Sequence, residues 1–310
     1  MIAKLRPLWV VKPTPKDRDT CLCQIHENGQ LLADRLYFLG LVTNKCRNVE
    51  DLAGSVCCDI NSRACAYGEC SMCKEHSVNN CIMKDYDEQA STSWYKWQLE
   101  EKQYVKPGQE KIQTAKHVVK ALCNRTIKDL IEKLDSYLKQ KLCKHVFNMR
   151  HQFRAARTLK STLADNEAII HIDFSENYQC GYAREVQSAH FGAAKAQVTL
   201  HTGVMYTSRH SISFSSISDN RRHDAHAIWA QLTPVLAYLR NDIDSSITCL
   251  HFESGSPSGQ YRNRSNAYLM STIPFDMGYI NISWNYYEAG HGKGAHDGVG
   301  AAMKRNVLHC

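Results

Sequence analysis

The sequence has no long apolar run. No segment of the 310 residues approaches the roughly 20 apolar residues that a membrane-spanning helix needs, which excludes a transmembrane protein. The amino-terminal stretch MIAKLRPLWVVKPTPKDRD has no apolar core long enough for a secretory signal peptide. We therefore expect a nuclear or cytoplasmic protein without a membrane partner. Thiols stay reduced there, so clustered cysteines indicate a metal before disulfides.

Several familiar signatures are also missing. The P-loop pattern G-x4-G-K-[ST] is absent, and no Ser/His/Asp or Cys/His arrangement has a recognisable spacing. There is no internal repeat or low-complexity tract. What is present is the composition of a globular protein, 43% hydrophobic and 22% charged, with a net charge of +7 that tolerates a polyanionic partner.

The chain divides into three compositional zones. Residues 1–90 are rich in cysteine, and residues 91–165 are predicted to be helical, with Trp94 and Trp97 as core residues. In the helical zone, apolar side chains recur at spacings of three and four, which predicts one buried helix face. These side chains are Ile127, Leu130, Ile131, Leu134 and Leu138. Residues 166–310 alternate between strand-like and helix-like segments.

The last zone predicts the element order β-β-β-α-β-α-β-α. Its strand-like runs are EAIIHIDFS, QVTLHTGVMYT, HSISFSSIS, SITCLHF and YINISWNYY, and DGVGAAMKRNVL is the final predicted helix. The fold class is therefore α/β (α+β), a mixed sheet with flanking helices. Ribonucleases H, retroviral integrases and many transposases share this order, so a ribonuclease H-like domain is expected over residues 166–310.

Nine of the 14 cysteines lie within the first 81 residues. Four of them are spaced C-x6-C-x4-C-x2-C, and the C-x2-C pair is typical of a structural zinc site. They are Cys58, Cys65, Cys70 and Cys73, with Cys57, His76 and Cys81 as alternatives. The other interpretation is a loop-rich region of buried, reduced thiols.

A second half-site for metal lies upstream. Cys21, Cys23 and His26 are spaced C-x-C-x2-H, and Cys46, Cys57 or Cys81 could complete the site. The scattered cysteines are interpreted as small buried hydrophobes, or as a free thiol for the last one. They are Cys123, Cys143, Cys180, Cys249 and Cys310.

Acidic residues stand where a ribonuclease H-like fold carries its metal ligands. Asp173 lies in the first strand of the last zone, where an unpaired charge would be costly. Asp297 opens the final helix, where it is either a ligand or a helix cap, and Glu288 is the rival third acid. Carboxylates of this kind hold two divalent cations about 3.5–4 Å apart.

The fourth strand of that zone should supply the middle acid. In HFESGSPSGQYRN the expected position is Gly255, which has no side chain. Glu253 lies two residues earlier on the same strand face and is the candidate substitute.

Basic residues near these acids are candidates for nucleic-acid contact. His291 and Lys293 lie in the glycine-rich GHGKGAHDG stretch, where close backbone approach to a phosphate is allowed. Arg262 follows the Gly255 loop, and Lys304 lies two turns after Asp297 on one helix face. A flexible loop and a solvated surface are the alternatives.

Four motifs together resemble a family of transposase-derived proteins with DDE-type, ribonuclease H-like catalytic domains. They are DFSENY (173–178), QSAHFG (187–192), QYRN (260–263) and EAGHGKGAHDGVG (288–300), and CLCQIHEN (21–28) is similar as well. The resemblance implies DNA cleavage and strand transfer with Mg²⁺ or Mn²⁺. It also implies DNA as the partner and the nucleus as the location, and it allows a homo-oligomer.

The chain departs from that family at two positions. Gly255 replaces an Asp in the loop before QYRN, and His296 replaces a Pro in HGKGAHDG. We therefore expect impaired catalysis, as in a decayed or shortened copy of a mobile element. The alternative is a non-catalytic zinc-containing module that binds nucleic acid or protein.

Overall fold

The structure is a computed structural model that describes residues 23–43, 46–83, 85–105, 112–181, 186 and 195–307. It divides into two compact units, Met1–His151 and Gln152–Cys310. The predicted ligand Cys21, the QSAHFG motif and Cys310 lie outside the described residues. No helix within the described ranges is long and apolar enough to cross a membrane.

The first unit joins short helices to a long β-hairpin. Its elements are α1 (Gln24–Phe38), α2 (Val49–Val56), α3 (Arg63–Ala66), the 3-10 turns Met72–Glu75 and Val78–Cys81, β1 (Ser91–Val105), β2 (Ile112–Thr126), α4 (Ile127–Tyr137), the π-helical turn Leu138–Leu142 and α5 (Cys143–Ser161). The last of these helices continues past His151 into the second unit.

The helical prediction for residues 91–165 is wrong in its first half. Residues 91–105 and 112–126 form the antiparallel strands β1 and β2, paired from Ser91↔Thr126 to Val105↔Ile112. The stretch STSWYKWQ is rich in β-branched and aromatic residues that favour strands, and Thr92 and Trp94 are buried on alternate positions. Trp97 is half-buried, and its carbonyl accepts hydrogen bonds from the side chains of Gln24 and Asn28.

The second half of that zone is helical, and its predicted apolar face is confirmed. A capping box between Thr126 and Asp129 starts α4 where the hairpin ends. All five predicted side chains of that face are buried, and they pack with Leu36 and Leu52 into the core of the first unit. The amphipathic spacing therefore specifies this part of the core.

The second unit carries the predicted order of strands and helices. Its elements are β3 (Glu167–Gln179), β4 (Gln197–Thr207), β5 (Ser211–Ser218), α6 (Ala225–Tyr238), the π-helical turn Leu239–Ile243, β6 (Cys249–Ser254), α7 (Arg264–Met270), α8 (Ile273–Asp276), β7 (Asn281–Tyr286) and α9 (Ala295–Val307). The fold class, a mixed sheet with flanking helices, is thereby confirmed.

The five strands of this unit form one sheet in the order β5-β4-β3-β6-β7. Strand β4 is antiparallel to β3 and β5, whereas β3, β6 and β7 are parallel. The even-numbered residues Ile170, Ile172 and Phe252 enter the apolar core with Trp229 of α6. The odd-numbered residues of β3 and β6 therefore face the opposite side, which carries the candidate site.

Candidate functional site

Asp173 and Asp297 meet at the side chain of His296. His296 Nε2 lies 4.0 Å from Asp173 Oδ2 and 3.6 Å from Asp297 Oδ2. The imidazole is 1% exposed, whereas the two carboxylates are 33% and 53% exposed. The first and third predicted acids thus converge, and both keep access to solvent.

Local structure explains how Asp297 reaches this place. Its Oδ2 accepts a hydrogen bond of 2.8 Å from the backbone N–H of Gly294, just ahead of α9. Asp297 is the third residue of α9, so this bond is the reciprocal half of a capping box, and Asp297 caps the helix from that position and not as the predicted N-cap. Gly300 lets α9 approach β3 closely, because a Cβ there would lie 3.1 Å from Ser175 Oγ.

Burial sets the electrostatics of Asp173. It raises the pKa of Asp173 to about 6, and the nearby Asp297 acts in the same direction. The backbone N–H of Phe174, which donates to Asp173 Oδ1 at 2.9 Å, partly offsets this pKa rise. Burial also lowers the pKa of His296. Ionisation of Asp173 therefore carries a desolvation cost, which a bound cation would offset.

We expect the Asp173→Asn variant to gain stability relative to the wild type as the pH rises. The folded pKa of Asp173 lies above its ordinary value of 3.8, so its contribution to stability is present below pH 3.8 and is lost as the pH rises through about 6. After allowance for partial exposure, the difference in free energy of unfolding should change by about 1–2 kcal/mol between pH 4 and pH 7. Urea denaturation at several pH values measures it.

Asp224→Asn is the control for that series. The Ala227 N–H holds the pKa of Asp224 below its usual range, so this variant should change in the opposite direction with pH. A pH-independent difference for Asp173→Asn would contradict the account of a carboxylate destabilised by burial.

Gly255 follows directly after β6, the strand at whose end the sequence predicts the middle acid. The parallel register ends at the pair His171↔Glu253, beyond which β3 continues to Asp173 and the chain leaves β6 toward Gly255. The loop before α9 touches the same point, since a Cβ on Gly292 would lie 2.9 Å from Gly255 Cα. Position 255 and the loop before α9 therefore lie together where β6 ends, and Asp173 follows the last pair of β3 with β6.

The two substitute acids have other partners. Glu253 is buried, and its Oε2 accepts a 2.9 Å hydrogen bond from the Tyr287 hydroxyl and lies 3.8 Å from His171 Nδ1. Glu253 is the register partner of His171, which lies two residues before Asp173 on β3. Glu288 follows β7, and its backbone N–H donates to Gln152 Oε1 at 2.8 Å. The Glu253 carboxylate is thus held by Tyr287 and His171 and not by Asp173.

The four predicted basic residues differ in exposure. Arg262 and Lys293 are exposed, Lys304 is half-buried on α9, and His291 is buried, with its ring 6.4 Å from that of Phe153. Contact of these residues with nucleic acid stays a prediction.

In the first unit, four cysteines form a compact cluster. The sulfur atoms of Cys58, Cys65, Cys70 and Cys73 lie within 4.8 Å of one another, and the set could hold a metal ion. The Sγ atoms of Cys58 and Cys73 are 3.2 Å apart. These are the first-choice ligands of the sequence prediction, so their convergence is confirmed.

In the second predicted half-site, the structure adds a candidate metal ligand, His145, that the sequence did not indicate. Cys23 Sγ lies 3.3 Å from His26 Nδ1, as the C-x2-H spacing predicts, and 3.2 Å from His145 Nε2. His145 lies on α5, far along the chain from Cys23 and outside any motif. Cys46 and Cys81 instead interact with each other, and burial and Cys81 raise the pKa of Cys46 to about 11.

Comparison with known proteins identifies a family without assigning a function. No curated protein and no solved structure matches the chain. Residues 152–309 match the family model described as "Domain of unknown function (DUF8701)", which begins where the second compact unit begins. The matched residues make up just over half of the sequence and contain the whole Asp173–Asp297 site. The chain therefore belongs to the DUF8701 family.

Proposed function

We propose that the protein is transposase-derived and binds DNA, and that its ancestral activity is metal-dependent DNA cleavage and strand transfer, impaired here at Gly255. The observation that carries this proposal is the approach of Asp173 and Asp297 to His296, with Gly255 following β6 at the same end of its parallel pairing with β3. Catalytic impairment follows because one of the three expected carboxylates is missing.

The topology supports a ribonuclease H-like assignment for the second unit. An antiparallel β5-β4-β3 meander is followed by β6 and β7, both parallel to β3, with helices in between. In such sheets the ligands bind outside the carboxyl ends of the parallel strands. Gly255 follows the carboxyl end of β6, Asp173 lies two residues beyond the last pair of β3 with β6, and α9 supplies Asp297.

The side chains fit a divalent cation only in part. Asp173 and Asp297 offer the carboxylate oxygens that Mg²⁺ and Mn²⁺ prefer, and they would hold the ion near Asp173 Oδ2. A pair of such ions supplies activation of a water or 3′-hydroxyl and charge neutralisation at the phosphate. In this chain Gly255 offers no oxygen ligand from its side chain, and buried His296 separates the two remaining acids.

We further propose that the first unit carries structural zinc. The four-cysteine set matches the closed sites in which zinc is bound by thiolates alone. Cys23, His26 and His145 offer a mixed sulfur and nitrogen set that would fasten the start of α1 to α5. Zinc at both places would stabilise a unit whose residues 57–81 contain only short helical turns.

The second candidate function is a non-catalytic zinc-containing module that binds nucleic acid or protein. Gly255 favours this function, because a protein that lacks one catalytic carboxylate still has its binding surface and the cysteine clusters of the first unit. A nuclear location follows for this candidate as well if its partner is DNA.

We expect the protein to bind duplex DNA with an affinity that falls steeply as salt is raised. Replacing Arg262 and Lys293 with Ala should reduce the slope of log affinity against log salt by about 2, since each removed phosphate contact contributes about 1. Fluorescence anisotropy at several salt concentrations measures this slope. Lys133→Ala, an exposed lysine on α4, is the control and should leave the slope unchanged.

The same preparation separates the candidate functions. Binding with Mg²⁺- or Mn²⁺-dependent cleavage above background indicates residual nuclease activity, whereas binding without cleavage favours the non-catalytic module. No binding at low salt would contradict a DNA partner.

A further inference from the structure

A third cluster of metal-ligand side chains lies at the amino-terminal ends of the neighbouring strands β3 and β6, ahead of Asp173 along β3. It combines the carboxylate of Glu167, the thiol of Cys249 and the imidazole of His251, whose ligand atoms all lie within 4.8 Å of one another. We propose that these three residues bind a thiophilic divalent cation, with zinc as the preferred ion. The site is separate from the proposed nuclease site and from the cysteine clusters of the first unit.

The strand register places these three side chains together. Glu167 and Cys249 are the first residues of β3 and β6 and are direct partners in the parallel ladder. His251 is two residues after Cys249, so its side chain points to the same face. Neighbouring β7 pairs Ser283 with His251. The cluster thus depends on regular backbone pairing and not on loop conformation.

The distances are those of metal coordination, although the contact between sulfur and nitrogen also suits a hydrogen bond. His251 Nε2 lies 3.5 Å from Cys249 Sγ and 3.6 Å from Glu167 Oε1. A good hydrogen bond between nitrogen and oxygen spans about 2.7–3.2 Å, so the carboxylate contact is too long for one. With zinc–sulfur and zinc–nitrogen bonds of about 2.3 and 2.0–2.1 Å, ligand atoms on a tetrahedral ion are about 3.4–3.6 Å apart.

A fourth side chain orients the imidazole. His251 Nδ1 lies 2.7 Å from the Ser283 hydroxyl oxygen, a short hydrogen-bond distance. If Nδ1–H donates to Ser283, the lone pair of Nε2 faces the sulfur and the carboxylate oxygen, as in metal-bound histidines. Oε2 of Glu167 accepts a bond from the Ala164 N–H, which leaves Oε1 directed at the cluster.

The ligand set selects the class of metal. One sulfur, one nitrogen and one oxygen suit zinc or cobalt, whereas Mg²⁺ prefers oxygen ligands only. The side chains of His251 and Glu167 are 16% and 27% exposed, so an ion can enter from solvent. Three protein ligands also leave one tetrahedral position for water. The competing explanation is an ion pair between protonated His251 and Glu167 without metal.

Metal titration of the full chain tests the proposal. Protein that already holds its tightly bound zinc should bind one further equivalent of Zn²⁺ in calorimetry, and excess Mg²⁺ should not compete for that equivalent. Co²⁺ added to the same protein should give thiolate-to-metal charge-transfer absorption. Cys249→Ser and His251→Ala should remove the further equivalent, and Cys249→Ser should remove the absorption. Ser283→Ala should weaken Zn²⁺ binding about 10- to 100-fold through loss of orientation.

Two further variants make the outcome decisive. Glu167→Gln keeps the shape of a half-buried side chain at the start of a strand and should weaken Zn²⁺ binding in a protein with unchanged circular dichroism. Cys180→Ser removes another half-buried thiol of the same unit and should bind Zn²⁺ like the wild type. If the wild type takes up no further zinc, or if Glu167→Gln and Cys249→Ser bind it unchanged, the site is an ion pair and the proposal is wrong.

Discussion

Replacing Gly255 with Asp is expected to raise metal-dependent DNA cleavage by on the order of 100-fold over the wild-type chain. A carboxylate here would follow β6 at the end of its pairing with β3, and we expect it to complete an oxygen-ligand set with Asp173 and Asp297. Metal ions stabilise charge in a phosphoryl-transfer transition state by several kcal/mol, and each 1.36 kcal/mol is a factor of ten in rate. A plasmid-nicking assay with Mn²⁺ and with Mg²⁺ measures the change.

The backbone at Gly255 accepts such a side chain. A Cβ at this position would meet only Pro257 Cδ at 3.5 Å, which is an ordinary van der Waals contact. Among the described glycines, those with positive φ are Gly40, Gly68, Gly278 and Gly290, so the substitution introduces no left-handed strain at Gly255. A gain in cleavage would therefore report the carboxylate and not a rearranged loop.

Gly255→Asn is the matched control, because it has nearly the same shape as Asp without the negative charge. It should remain at the wild-type level, and Asp173→Asn added to Gly255→Asp should abolish the gain. Equal cleavage by the wild type and Gly255→Asp would show that position 255 is not the missing ligand. Equal gains from Asn and Asp would show that charge is not the cause.

Replacing Cys70 with Ser is expected to remove one zinc ion per chain and to lower the melting temperature of the first unit by about 10 °C or more. The binding free energy of structural zinc is about 10–16 kcal/mol in isolated zinc-finger peptides, and much of it is folding free energy. Backbone hydrogen bonds from Cys73 lower the pKa of Cys70 to about 7, which favours the thiolate that a metal needs. Mass spectrometry gives the zinc content and calorimetry gives the melting temperature.

Cys123→Ser is the control for the zinc experiment. Cys123 is a half-buried thiol on β2 that belongs to no metal-ligand cluster of the described residues. It should keep the wild-type zinc content, and a strong chelator should reproduce the effect of Cys70→Ser on the wild type. An unchanged zinc content in Cys70→Ser would contradict the four-cysteine site.

Much of the second unit and the four-cysteine cluster were predictable because their signals are local. Alternating apolar residues specify a strand, and a run such as EAIIHIDFS needs no distant partner to be recognised. The apolar face of α4 is equally local, since its side chains recur every three or four residues. Close cysteine spacing constrains Cys58, Cys65, Cys70 and Cys73 to a short loop, so their convergence follows from chain length.

Strands β1 and β2 are the elements whose structure the local sequence signals did not predict. They contain residues of both high and low strand propensity, such as Trp94 and Glu100, and it is the partner strand that decides the structure. Strand propensity depends on cross-strand packing more than helix propensity depends on its surroundings. A helical interpretation of this segment was therefore wrong, although the helices that follow it were predicted.

The sequence alone indicates a cysteine-rich first part and a second part of mixed strands and helices. It also assigns Asp173 and Asp297 to separate elements, with Gly255 between them along the chain. Only the tertiary structure brings His145 to Cys23, and only the strand register brings Glu167 to Cys249 and His251. These contacts join residues distant in sequence, and chain spacing carries no information about such distances. The packing of α5 and the pairing of β3 with β6 decide them.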